Sequence, residues 1–119
     1  MSDQGTTVTV RRPGRRAPVD KDKLRLAREN AGMAPADLAN ELQSITQRDY
    51  DQGQGSARLV QAAERGECGV SPKIARAWAE ATLPKVKGAT TLDGDPLPAG
   101  RGRLEAWFRS LLLPEDKRQ

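Results

Sequence analysis

A small all-α protein is what this chain predicts, and three observations carry that expectation. Apolar residues recur at helical spacing in several short stretches. Hydroxyl, Asp or Pro start signals and Gly or Pro stops bracket those stretches. Aromatic residues make up only 3% of the chain, so the core is to be built from Leu, Val, Ile and Ala, which suits a bundle of four to five short helices better than a β-sandwich. At 119 residues there is room for one domain with tails.

The first element is a basic arm over 1–18. Thr6 to Val10 fits a brief strand, after which Arg11, Arg12, Pro13, Gly14, Arg15 and Arg16 break regular structure. Four arginines in these six positions suit either a phosphate backbone or minor groove, or a solvated flexible tail. The domain proper spans 19–83. Its first helix is expected over 21–31, with Asp20 as N-cap, Gly32 as the left-handed stop, and Leu24, Ala27, Arg28 and Ala31 on one side. A second helix opens at Pro35, with Asp37 in its first turn and a stripe of Leu38, Ala39 and Leu42 that Ile45 extends by one turn. The stretch 47–55 holds Asp49, Tyr50, Asp51, Gly53 and Gly55 and reads as an irregular loop of net negative charge.

Ser56 caps a third helix, which places Leu59, Val60 and Ala63 inward and stops at Gly66. Ser71 and Pro72 open a fourth, with Ile74, Ala75, Trp78 and Ala79 on one face, ending before Pro84. The Gly-, Pro- and Thr-rich stretch 84–102 reads as a linker or an extended crossing segment. The last helix, 103–113, carries the strongest stripe: Leu104, Trp107, Phe108, Leu111 and Leu112 at i, i+3, i+4, i+7 and i+8. That stripe offers either a homodimer surface or the missing part of a thin core.

Composition narrows the chemistry. The chain has no histidine, which removes Ser-His-Asp and Cys-His catalysis and any zinc site needing imidazole. Cys68 is the single cysteine, so no internal disulfide or thiolate cluster forms, in keeping with a reducing cytoplasm. Beside Arg65 its thiol reads as structural or idle, because no general base accompanies it. Gly53-Gln54-Gly55 lacks the later glycine and the preceding strand of a dinucleotide fingerprint. No membrane span or signal peptide is expected, and neither is a cofactor, a metal site or an enzyme. The net charge of +4 and pI near 9.6 favour an anionic partner. A short, capped, basic-tipped helix suits entry into a DNA groove better than catalysis.

The run Leu24 to Met33, then Leu38-Ala39-Asn40-Glu41-Leu42, then Ser56 to Glu67 ending Glu64-Arg65-Gly66-Glu67, and finally Ser71 to Ala81, resembles the Cro/lambda-repressor-like helix-turn-helix family over about half the chain. Three departures stand out. About ten extra residues (46–55) separate the second and third helices. Ala34-Pro35 replaces a Ser/Thr-Gln opening, and Ala63 replaces a bulkier residue. The resemblance implies a bacterial or phage transcriptional regulator of repressor type, with helix three in the major groove of double-stranded DNA. Its outward residues are then Ser56, Ala57, Arg58, Gln61, Ala62 and Arg65. Arg58 would fork to guanine, or else hold a phosphate, and Gln61 would pair with adenine. Arg65 is expected at phosphate, and Glu64 is expected to be structural, pairing with an arginine of helix one. The other reading is an interaction module of antitoxin-like or phage/host-factor type that binds a protein partner.

Overall fold

The computed structural model describes residues 16–86 and 90–114. Among them are five α-helices and one 3-10 turn, with isolated β-bridges in place of strands. The all-α class follows from the local signals. Helix α1 (Lys21–Asn30) starts where the Asp20 carboxylate accepts the Asp22 N–H at 2.9 Å. Helix α2 (Pro35–Tyr50) starts at a proline, while the Asp37 carboxylate accepts the Ala34 N–H at 3.1 Å. In α3 (Ala57–Glu64) and α4 (Pro72–Thr82) the hydroxyls of Ser56 and Ser71 accept the N–H groups of Leu59 and Ile74. A 3-10 turn, Leu83–Lys85, follows α4, and α5 is Arg101–Ser110.

Helix α4 is the centre of the bundle. Helices α1, α2 and α5 pack against it, and α3 lies on α1 and α2. Its Trp78 is fully buried and donates its indole N–H to the Leu24 carbonyl at 3.1 Å. Trp107 of α5 is buried on the other flank and donates to the Thr82 hydroxyl at 2.9 Å; that hydroxyl donates to the Trp78 carbonyl. Both indoles therefore sit in an apolar core with their one polar atom satisfied.

The sequence reading needs correction in four places. The first part of the expected loop 47–55 is helix: α2 runs two turns past Leu42 and ends at Tyr50, with Asp51 left-handed at φ 56° and the rest irregular as expected. Contacts with α4 hold this extension. Arg48 is ion-paired to Glu80, and the Lys73 ammonium sits 4.7 Å from the centre of the Tyr50 ring. Only six residues, 51–56, then connect to α3, and they run back along α2. Gly55, at φ +129°, passes so close that a Cβ there would meet the Leu42 Cβ at 2.8 Å.

Second, residues 16–18 of the expected arm are part of the body. The Ala17 N–H donates to the Val70 carbonyl at 2.9 Å, and Leu113 N–H donates to Pro18 at 2.8 Å. Arg11, Arg12, Arg15 and the expected strand at Thr6–Val10 lie outside the described residues. Third, of the two alternatives for 84–102, the described residues fit the crossing segment and not the linker: Val86, Leu92 and Leu97 pack on the core, and Thr90 bridges to Pro96. Fourth, α5 starts two residues early and stops at Ser110. Leu111 to Leu113 turn away to pair with the chain's other end, through the Val19–Leu112 bridge and the Asp20 N–H to the Leu111 carbonyl.

The C-terminal stripe closes the core. Trp107 and Leu111 are buried in it, Leu104 and Phe108 pack on it, and Leu112 is half-buried. No helix among the described residues is long and apolar enough to cross a membrane.

Candidate nucleic-acid interface

Helix α3 has two unlike sides, and its sequence makes them so. Val60, Ala63 and Glu64 are buried, whereas Arg58 and Gln61, and Arg65 just past the end, are exposed in a row at i, i+3 and i+7. Ser56 is exposed at the cap, and Ala57 and Ala62 are half-exposed at the margins. Among the described residues, no hydrogen bond or ion pair engages the side chain of Arg58 or Gln61. Both are therefore free to meet an external donor or acceptor.

The buried side is fixed by charge as much as by packing. Arg28 of α1 meets Glu64 in a two-pronged pair, Nε to Oε2 at 2.7 Å and Nη2 to Oε1 at 2.9 Å. The Arg28 and Glu64 side chains are 14% and 8% exposed, so the geometry is shielded from water. A third donor, Nη1, reaches the Met33 carbonyl at 2.9 Å. One guanidinium thus ties together α1, the α1–α2 turn and the last turn of α3. The hydrogen bonds to Glu64 raise the Arg28 pKa further above its already basic range, with burial opposing.

Arg65 is differently placed. It points to solvent but grips the Glu67 carboxylate, with Nε and Nη2 at 2.8 and 3.0 Å. Those bonds hold the Glu67 carboxyl below the usual carboxylate range and raise Arg65. Arg65 reaches a phosphate by giving up an exposed ion pair, which solvent makes weak.

The strap at 16–20 runs beside the turn that follows α3. Arg16 is exposed beside the turn after α3, its Nη1 3.4 Å from the Gly69 carbonyl oxygen. Gly69 lies so close that a Cβ there would meet the Arg16 Cδ at 2.8 Å. Lys21 lies over Gly66 in the same turn. Arg16, Lys21 and the end of α3 therefore share one edge, a proximity that residue spacing alone does not reveal. Cys68 is exposed in this turn.

Sequence reasoning missed Arg28 as the specific partner of Glu64, together with Thr46, Gln43 and Gln47, which hold the segment leading into α3. In comparisons with family models, curated proteins and solved structures, nothing matches this chain.

Proposed function

We propose that this protein is a sequence-specific DNA-binding regulator, with α3 as the element that enters the major groove. The observation that carries this reading is the pair Arg58 and Gln61, exposed and unengaged on a helix whose opposite side is fixed by Arg28–Glu64. A guanidinium can donate two hydrogen bonds to a guanine edge, and an amide can donate to and accept from adenine. A groove reader needs those groups held still before binding, so that ordering them costs little on association.

The resemblance to the Cro/lambda-repressor-like family also supports it. The extra residues go out as helix and come back along it, which brings Gly55 beside Ala39 and Leu42 just ahead of the Ser56 cap. The arginines at 11, 12, 15 and 16 then serve as a phosphate-tracking arm, of which Arg16 lies beside the turn after α3. With the α5 stripe inside the core, pairing of two copies through that helix is no part of the reading.

The test is a mobility shift of the full chain on mixed duplex DNA at low salt, followed by selection of bound duplexes from a random pool. The expected result is a shift that weakens with salt and a recovered motif. Failure to shift any duplex would contradict the reading and favour a module that binds a protein partner. Deleting residues 1–15, which leaves the strap intact, should flatten the dependence of log affinity on log salt by about three. An unchanged slope excludes the arm as a contact.

A further inference from the structure

The segment that returns from the tip of α2 to the cap of α3 is held unusually firmly for a surface loop. The buried Thr46 hydroxyl accepts the Gln54 N–H at 2.7 Å and donates to the Leu42 carbonyl at 2.7 Å. The Gln47 side-chain oxygen accepts the Gly53 N–H at 2.9 Å, and the Gln43 amide donates to the Gly55 carbonyl. Three side chains at i, i+3 and i+4 of α2 thus bind backbone groups of three consecutive residues. Gly53 and Gly55 lie against α2 without side chains, Gly53 within 3.3 Å of the Gln43 carbonyl at its would-be Cβ.

What this scaffold leaves outward is a pair of amides. Gln52 and Gln54 are exposed, with the Gln54 Nε2 3.5 Å from the Gln52 Oε1, and they immediately precede Ser56. The negative charge of the region sits just before them, at the end of α2. Asp49 is gripped by Arg48 through both oxygens, which holds its carboxyl below the usual range. The Asp51 carboxylate accepts the Gln47 amide at 3.3 Å. Neutral amides beside that charge are poorly suited to phosphate and well suited to base edges, where each can donate and accept.

We infer that Gln52 and Gln54 form a second reading element, contacting base edges of the same duplex on the N-terminal side of the positions met by Arg58 and Gln61. Thr46 is its positioning residue. This rests on the reading of α3 as the groove-entering helix.

The experiment selects duplexes from a random pool with three proteins: wild type, Gln52→Ala/Gln54→Ala and Arg58→Ala. The double variant should keep the base preferences that Arg58→Ala loses and lose preference at one edge of the motif. Its affinity for the wild-type motif should fall about tenfold, with affinity for random duplex unchanged. Thr46→Val should give the same edge loss, and Thr46→Ser should restore it; a purely structural threonine would lower thermal stability without moving the motif. A double variant whose motif and affinity match wild type overturns the second reading element and leaves α3 untouched. A wild type that recovers no motif overturns both.

Discussion

Helices α3 and α5 are short amphipathic helices on the same bundle, and they are held by opposite means. α5 sinks Trp107 into the core, anchors its indole on Thr82 and packs Leu104 and Phe108 alongside. α3 rests on the small Val60 and Ala63 and is clamped at its end by Arg28 through Glu64. The difference teaches how a helix can be rigid without being absorbed. Large apolar residues draw a helix inward until its surface is core. Small ones joined to a directional ion pair fix position and rotation while the far side stays open to water. A stripe of large apolar residues therefore marks the structural helix, and one of small residues, with Arg58 and Gln61 opposite, marks the candidate working helix.

Four substitutions sharpen or break this comparison. Trp107→Ala should be the most damaging, at about 3–5 kcal/mol of stability in urea unfolding, because it leaves a cavity and removes the indole N–H that the Thr82 oxygen accepts. A loss below about 1 kcal/mol would mean that α5 is dispensable to the core. Glu64→Ala should cost about 2–3 kcal/mol. This is less than a fully buried pair would lose, since Arg28 keeps Met33 and some solvent. Wild-type stability in that variant would show that packing alone seats α3. Ser56→Ala should cost about 1 kcal/mol through the lost cap, and an unchanged unfolding midpoint would contradict it.

The smallest effect concerns Glu67. Its carboxyl is held low by Arg65, so the pair is complete above the ordinary carboxylate range and is lost as pH falls through that lowered value. Glu67→Gln mimics the protonated form at neutral pH. The unfolding midpoint should not move, because the pair is fully exposed, while the released Arg65 raises affinity a few-fold on any duplex and steepens the salt slope by about one. An unchanged slope would remove Arg65 from the contact surface.

Much of the architecture was legible because it is written in local chemistry. Asp20, Ser56, Ser71 and Pro72 are cap and first-turn residues, and each starts the helix its type demands. The burial of Trp78 and the structural role of Glu64 also follow from spacing. The extension of α2 to Tyr50 was not legible, because Gln47, Arg48 and Asp49 have no apolar period. Partners in α4, Glu80 and Lys73, stabilise that last turn, and they lie 32 residues from Arg48 and 23 from Tyr50 in sequence. The same holds for the strap at 16–20. Its backbone groups are satisfied by Val70 and by residues 111–113, and nothing within the segment itself announces an extended pairing. The exposed face of α3 could be read from periodicity, but the glutamines before it could not: only the hydrogen bonds to Gln43, Thr46 and Gln47 turn an apparent loop into a fixed platform.

The central claim is that the open face of α3 reads base edges. Its most direct measurement is the affinity of Arg58→Ala for the selected duplex and for random duplex of equal length, at one salt concentration. Because Arg58 is exposed and unengaged, the fold should be unaffected. Affinity for the selected duplex should fall by about tenfold or more, with random duplex nearly unchanged. Equal losses on the two duplexes would show that Arg58 holds only the backbone and would contradict the claim.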